Sequence, residues 1–545
     1  MKRSLLLLIP MVTLVVCVFF IRQLSPFFMS VPDPTYIHLF SGINLAGGNM
    51  DVGNTDNPGT TVQCFAAIII FIGHLFSGSK LPLYQDAFLH TEGYLMACSV
   101  VLIILFVGIN YLTGAYIYKY TQNTGLSMMF QIIPFLNMNI IQRAIVLEPE
   151  AMIIIVCTFF MALLFINAPE SNTKDKKLLT NSTIILFALF SGFLIASKYT
   201  CIPLVVLVLF ILNNNKERLI YMGAAAGAFL FFIIPAIPKF KSMYQWVWNL
   251  FTHDGIYGKG DTRIINPSQY IIKLKSIFLT DTIFTVIYSL ITLAFLLAVF
   301  SRLKRKDDIP YFRTICGIWC SVTLLILIVA KHCDFHYLIP AECSFPLGLV
   351  VSYRILSNSL LKGIAFYKKH ERRIIYPVAT LFVLFMLIEK VRYLPIRHPQ
   401  PMLTDKYIDE EEDKPLLIAV KSSTECERIE LSLYLGYLFS GNMQDTYARF
   451  LSNKYPQSYI FWDGSDNVLF WGKEIPVTDF GKMNRKMLVY MKGYNDSTRD
   501  VLMNKLYGCN RDKLPPGWKM EQRLKDSKTI QEIYSIENGG TAFEL

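Results

Sequence analysis

The sequence predicts an all-α polytopic membrane domain of about 11 transmembrane helices, followed by a small C-terminal α/β domain. Three observations predict it. The chain is 53% hydrophobic and 14% aromatic over 545 residues, with mean hydropathy +0.40, too apolar for a soluble protein of this length. Several apolar runs approach the roughly 20 residues that carry a helix across a hydrocarbon core. Beyond residue 393 those runs give way to short strand-like and helical patterns. The predicted division is a multi-pass membrane domain over 1–393 and an extracytoplasmic α/β domain over 394–545.

The first element, "MKRSLLLLIPMVTLVVCVFFIRQ", has a basic start and a long apolar core. It lacks a small-residue cleavage site and is followed by many more apolar segments, so it reads as an uncleaved span rather than a secretory signal. Further spans are predicted at 93–117, 125–143, 149–167, 182–198, 199–213, 219–238, 277–300, 313–331, 337–353 and 374–392. Between the first and second lies "TVQCFAAIIIFIGHLFS", residues 61–77, short and interrupted by Gln63 and His74.

Charge decides how that segment is read. If it does not cross, the basic runs "KDKK" at 174–177 and "RLKRK" at 302–306 fall in the same compartment as Lys2, Arg3 and Lys119. If it crosses, both runs move to the outside, against the positive-inside rule. Residues 61–77 are therefore expected to form an interfacial helix in the first outer loop. The formal net charge of +11 then belongs largely to short cytoplasmic loops, and it calls for membrane lipids as partners and no nucleic acid.

Cysteine usage carries little. Nine of the eleven cysteines lie in or beside apolar segments, where the thiol packs as a small hydrophobe. Cys316 and Cys320 share a helix face, but without His or acidic neighbours they do not suggest a metal. Cys426 and Cys509 fall in the polar tail and could form a disulfide only if folding brings them together. The tail itself opens on "PLLIAV", continues through a helical "ERIELSLYLGYLFSG", and adds strand-like "SYIFWDG", "NVLFWG" and "KMLVYMKG" before a helical "STRDVLMNKLYG". Apolar runs alternating with helical patterns are the mark of an α/β domain. It carries no phosphate-loop or dinucleotide motif.

Ionisable residues collect at one end of the predicted helices. The first outer loop, "SVPDPTYIHLFSGINLAGGNMDVGNTDNPGTT", holds Asp33, Asp51 and Asp56 and no Lys or Arg. "QRAIVLEPEAMII" places Arg143, Glu148 and Glu150 at an outer turn, and "SGFLIASKYTCIPLVV" places Lys198 at the tip of a helical hairpin. "AKHCDFHYLIPAE" adds Lys331, His332, Asp334, His336 and Tyr337. The long loop "YQWVWNLFTHDGIYGKGDTR" supplies Trp246, Trp248, His253, Asp254, Lys259 and Arg263. Charged groups near hydrocarbon are costly to place and usually have a role. Each also has a plainer reading. The loop aspartates suit ordinary turns, Lys198 can snorkel to headgroups, and Arg143 with Glu148 can be a structural ion pair. The Trp-rich segment can be an interfacial belt. The signal lies in their convergence on one side.

At these residues the chain resembles the GT-C class of membrane glycosyltransferases, the group that includes protein O-mannosyltransferases and the lipid A aminoarabinose transferase. "PDPTYIHLFSGINLAGG" looks like the start of that class's first outer loop, and "TDNPGTT" is similar to its second element, opening an interfacial helix. "VLEPEAM" is similar to its acidic-Pro turn, "GFLIASKYTCIPLVV" to its helix ending in Ser/Thr-Lys, and "HYLIPA" to the start of a late span. The matches run in order through the membrane domain. "DNPGTT" departs from the common double proline, and the first acidic pair is here a lone Asp33 followed by Pro34.

The resemblance implies a polyprenyl-phosphate sugar donor, dolichyl- or undecaprenyl-linked. Its hexose or pentose would be transferred on the outer face of a cell membrane, as in a bacterial inner membrane, to a glycan, lipid or protein acceptor. It implies Asp33 as the general base and Asp56 and Glu148 as further acids that orient the acceptor or hold a divalent cation. Arg143 and Lys198 would stabilise the departing phosphate. Lys331, His336, Tyr337 and Tyr36 would complete the substrate pocket. Single displacement with inversion is the expected course. The alternative is a transporter or flippase of a lipid-linked substrate, a class that usually places charged or broken helices near the bilayer midplane.

Overall fold

The computed structural model describes residues 4–169, 179–255, 258–305, 309–332, 334–360, 408, 414–420, 428–483, 486–492, 496–507, 518–526 and 531–538. The predicted span 374–392, the proposed division at 393/394, and both Cys426 and Cys509 lie outside these residues. The chain forms two compact units, one of Met1–Arg22, Asn54–Ile69 and Met96–Pro395, the other of Gln23–Gly53, Ile70–Leu95 and Ile396–Leu545.

The first unit is helical. Among the described residues of the chain, six helices are long and apolar enough to cross a membrane: Ser4–Leu24, Thr60–Ser77, Thr91–Thr121, Pro149–Asn167, Thr282–Lys304 and Phe312–Lys331. The chain is thus a multi-pass membrane protein by the length and apolarity of its helices. Thr60–Ser77 meets that requirement by length and composition, which an interfacial helix does not need. The apolar helices Asn181–Ser197 and Tyr199–Ile211 fall below that length.

Several predicted spans are broken, and each break has a local cause. The expected span at 125–143 is no continuous helix. It divides into Thr124–Gln131, a 3-10 turn at Ile133–Phe135 and Met138–Ala144. Pro134 lacks the amide that would continue the first helix, and the Asn137 side chain accepts from the amide of Asn139 to start the next. Near 277, one helix ends at Thr280 and another begins at Thr282. Asp281 accepts from the amides of Ile283 and Phe284, each at 3.0 Å, and so caps the new helix. Asn215–Phe232 bends by 81° into Ile234–Thr252, across a stretch containing Pro235 and Pro238.

The second unit is built on a seven-stranded mixed sheet. Its strands are β1 (Leu416–Val420), β2 (Ser458–Trp462), β3 (Asn467–Phe470), β4 (Lys473–Pro476), β5 (Lys486–Lys492), β6 (Trp518–Asp526) and β7 (Gln531–Asn538). The order is β4-β3-β2-β1-β5-β7-β6. β1 is fully buried and pairs in parallel with β2 and β5, as a continuous apolar run should. The helices Ile429–Leu438 and Gln444–Lys454 form the crossover from β1 to β2. Leu417, Phe461, Val489, Leu502 and Tyr534 meet in one apolar core.

Two segments from the first 95 residues belong to this same unit. Helix Pro32–Ala46 packs on Ile429–Leu438 at Gly436, where an added Cβ would stand 2.3 Å from Phe40 Cδ2 and 2.8 Å from the Tyr36 carbonyl oxygen. Phe40, Tyr84, Phe88, Tyr447 and Phe450 form an aromatic cluster with centroid spacings between 4.8 and 6.3 Å. Asn44 donates to the carbonyl of Ser440 at 2.9 Å and accepts from the Tyr447 hydroxyl at 2.6 Å.

Candidate functional site

The site begins with three helix ends in the first unit. Pro149 occupies the first turn of Pro149–Asn167, the position where its missing amide costs nothing. Glu148 precedes it and Glu150 follows, so two carboxylates stand at a helix N-terminus, where the dipole favours negative charge. Arg143 lies in the last turn of Met138–Ala144. Lys198 leaves the helix Asn181–Ser197 in extended conformation (φ −161°, ψ 137°). Both cations therefore sit at helix C-termini, the favourable end for positive charge.

Folding brings these ends together. Arg143 Nη1 donates to Glu148 Oε2, and Lys198 Nζ donates to Glu150 Oε1. Lys198 also stands 4.1 Å from the Tyr337 ring centroid, a cation–π contact in a desolvated setting. His336 Nε2 lies 3.5 Å from the same Glu150 oxygen, and its Nδ1 lies 2.7 Å from Asp334 Oδ1. Burial pushes His336 below its ordinary pKa, and Asp334 opposes that without overcoming it. Burial works to raise Asp334, but the His336 contacts and the Arg143 charge together outweigh it and leave the carboxyl below its usual range. Glu148 Oε1 is buried with no hydrogen-bond partner among the described residues. An orphaned carboxylate oxygen of that kind calls for a ligand or a proton.

Of the predicted site residues, Arg143, Glu148, Lys198, His336 and Tyr337 thus form one cluster with Glu150 and Asp334. Asp56 is exposed and lies within electrostatic reach of Lys259 and of the Tyr199 hydroxyl. Its segment is fixed near the Lys198 end of the helix, because Thr61 and Ser197 hydroxyls meet at 2.7 Å and Thr60 donates to the Phe232 carbonyl at 2.8 Å. Lys331 points elsewhere, donating to the carbonyls of Leu250 and Phe251 at the end of helix Phe240–Thr252.

Asp33 and Tyr36 belong to the second unit. Asp33 is half-buried and extended (φ −108°, ψ 123°) just before Pro34 begins the regular turns of its helix. Tyr36 is fully buried and donates to Glu92 Oε1 at 2.6 Å. Glu92 also accepts from the amides of Phe27 and Phe28 at 2.7 and 3.1 Å, so it pins the entry to that helix.

Sequence reasoning missed other groupings. Glu150 was legible as a neighbour of Glu148 but not as the residue on which Lys198 and His336 converge. Asn137 bridges Asp281 and Glu342 at 2.9 and 2.8 Å, a junction no local spacing announces. In the second unit, buried Asp86 accepts from Tyr94 at 2.5 Å and meets His74 and His90 at 3.0 and 3.1 Å. The four-residue spacing of Asp86 and His90 was its one visible sign. Among the described residues no group of three or more His, Cys, Asp or Glu is placed to hold a metal ion.

No family model and no curated protein matches the chain significantly. The solved structures similar to it include three at low identity. ArnT from Cupriavidus metallidurans bound to undecaprenyl phosphate is 11% identical, with a TM-score of 0.46, over 96% of this chain and 97% of that one. The archaeal oligosaccharyltransferase AglB from Archaeoglobus fulgidus, in complex with an inhibitory peptide and a dolichol-phosphate, is 11% identical, with a TM-score of 0.39, over 83% and 69%. An Archaeoglobus fulgidus oligosaccharyltransferase tethered to an acceptor peptide is 8% identical, with a TM-score of 0.41, over 97% and 74%. These likenesses are too distant to assign chemistry to any residue here. The class defined by the chain itself is a polytopic α-helical membrane protein with an added α/β sheet domain.

Proposed function

We propose that this chain is a membrane glycosyltransferase that moves a sugar from a polyprenyl-phosphate donor to an acceptor on the extracytoplasmic face. The observation that carries the reading is the buried convergence of Lys198, Arg143 and His336 on Glu150 and Glu148, drawn from four separate segments. A donor of this kind leaves as a phosphate, and what its departure needs most is fixed positive charge where negative charge develops. Arg143 is the more open member, with its side chain 31% exposed against 5% for Lys198, and would meet the phosphate first. Lys198, held by Glu150 and by the Tyr337 ring, would supply charge at a fixed point without reorganising.

Asp33 would remove the acceptor proton, the role that the sequence resemblance implies for it. A lipid-borne donor explains why the chain carries no nucleotide-binding motif: the bilayer holds the apolar tail. The ordered sequence resemblances through the membrane domain support the same reading.

The test is reconstitution of the purified chain in lipid vesicles with a panel of radiolabelled polyprenyl-phosphate sugars and an envelope extract as acceptor. Transfer of label with release of polyprenyl phosphate is the expected result. The 81° break between Asn215–Phe232 and Ile234–Thr252 favours one other reading, since broken helices are a feature of transporters. Movement of an intact lipid-linked sugar between leaflets, with no sugar transferred to any acceptor, would replace the enzyme reading with that one.

A further inference from the structure

The opposite end of the same helices carries a second cationic site that the proposed reaction does not use. A cavity of about 500 Å³ is lined by Phe210, Asn213, Arg218, Arg302, Phe312, Arg313 and Cys316. It opens where helix Ile202–Ile211 ends, Asn215–Phe232 begins, Thr282–Arg305 ends and Phe312–His332 begins. Ile202–Ile211 follows Lys198 at its start, and Phe312–His332 leads to His336 at its finish. The arginine cavity therefore lies one helix length away from the Lys198 cluster.

Three guanidinium groups line it and, among the described residues, no carboxylate does. Among the described residues none of the three forms a salt bridge. Arg313 is held by the carbonyl of Leu212 and, at 3.4 Å, by Asn213 Oδ1. Arg218 donates to the Leu209 carbonyl at 3.2 Å and to Asn215 Oδ1 at 3.0 Å. Arg302 stacks 4.3 Å over the Phe312 ring. Glu217 acts on Arg313 through charge alone; its carboxylate accepts from the Asn213 amide at 2.7 Å and from Asn214 Nδ2 at 3.1 Å, and it does not line the cavity.

The carbonyl contacts of Arg218 and Arg313 and the stacking of Arg302 on Phe312 fix where the guanidiniums stand without neutralising them. Three like charges around one hollow repel each other unless an anion sits between them. Planar guanidinium forks match phosphate oxygens in pairs. Apart from Asn213, the remaining wall, Phe210, Phe312 and Cys316, is apolar and continues onto apolar helices. A ligand that fits both halves has a phosphate head and a hydrocarbon body, and basic pockets between spanning helices are known to hold such headgroups.

We propose that the Arg218–Arg302–Arg313 cavity binds the phosphate of an anionic phospholipid. The site stands whether or not the chain is a glycosyltransferase.

The experiment is native mass spectrometry of the full chain released from detergent micelles, titrated with dioleoyl phosphatidylglycerol, dioleoyl phosphatidylcholine or inorganic pyrophosphate. Phosphatidylglycerol is expected to bind in preference to phosphatidylcholine. Arg302→Gln, which leaves the helix-end carbonyl contacts intact, should weaken phosphatidylglycerol binding about fivefold, and Arg218→Gln in addition about fivefold more. Phosphatidylcholine binding should not change. Equal affinity for the two lipids overturns the proposal, as does phosphatidylglycerol binding unchanged in a well-folded Arg302→Gln chain. Binding of pyrophosphate without phosphatidylglycerol overturns the lipid assignment in favour of a soluble anion.

Discussion

Lys198 and Glu150 form an ion pair closed to solvent on both sides, with side-chain exposures of 5% and 3%. Ion pairs so placed lose their hydration and recover it only through close mutual contact. Removing one partner strands a buried charge, whereas replacing both with apolar groups does not. Lys198→Ala is expected to destabilise the chain by about 3–5 kcal/mol. Lys198→Met combined with Glu150→Leu should recover most of that loss, as read by thermal unfolding in detergent. Transfer activity should be lost in both variants. A double variant that unfolds normally and still transfers sugar would mean that the pair is purely structural.

Asp33 tests the chemical half of the proposal. Asp33→Asn keeps the size of the side chain and one acceptor oxygen but removes the carboxylate that takes the proton. The expected loss of transfer is about 10²–10⁴-fold, with donor binding nearly unchanged. Full activity in a membrane-inserted Asp33→Asn chain would remove Asp33 from the mechanism.

His336 links the cluster to pH. Its folded-state pKa lies below the unfolded value of about 6.5 because burial disfavours the imidazolium. On acidification the unfolded chain therefore takes up the proton first. The His336 contribution to stability is present above about pH 6.5 and is lost as pH falls through the folded-state value. His336→Gln should flatten this part of the curve. The measurement is the difference in unfolding temperature between pH 7.5 and 5.5, wild type against variant; equal differences would rule the contribution out.

Gly436 governs packing within the sheet-containing unit. Gly436→Ala would drive a methyl group onto Phe40 and the Tyr36 carbonyl, and overpacking of this kind costs about 1–3 kcal/mol. Limited proteolysis should then cut the segment 27–46 faster than in wild type. Unchanged protection would show that the two helices can move apart without penalty.

Tyr36 and Glu92 separate a structural from a binding role. Tyr36→Phe leaves Glu92 with its two backbone donors but without the phenol at 2.6 Å. A loss of about 1–3 kcal/mol in stability with KM unchanged is expected. A raised KM with stability intact would assign Tyr36 to the substrate pocket instead.

Much of the membrane architecture was legible because burial in lipid leaves a composition signal. Runs such as 93–117 and 149–167 could be little else, and the observed helices Thr91–Thr121 and Pro149–Asn167 follow them closely. The tail strands "PLLIAV" and "SYIFWDG" were visible for the same reason: a parallel pair buried on both faces reads as an apolar run. The run 125–143 was misread as one span, because its apolarity hid what Pro134 and Asn137 do to the backbone. β4, β6 and β7 went unseen. Their sequences, "KEIP", "WKMEQRLKD" and "QEIYSIEN", are interrupted by charges and lack a clear apolar period.

The residues of the polar cluster could be named from sequence, since ionisable groups at helix ends beside hydrocarbon are few. Their pairing could not. Arg143 with Glu148 is a local contact, five residues apart. Lys198 with Glu150 spans 48 positions, and His336 reaches Glu150 from farther still. The Arg218–Arg302–Arg313 cavity was hidden in the same way, its arginines having been read only as positive-inside charge.

By itself the sequence determined that this chain spans a membrane many times, carries an α/β domain and holds Asp33, Asp51 and Asp56 in one segment free of Lys and Arg. Those properties follow from hydrophobic transfer and backbone hydrogen bonding, which act residue by residue along the chain. The tertiary structure alone decided that Glu150 rather than Glu148 holds Lys198, that the helix after Asp33 packs on the C-terminal domain at Gly436, and that three arginines share one hollow. Such choices depend on which side chains meet after the helices pack, and no single segment contains that information.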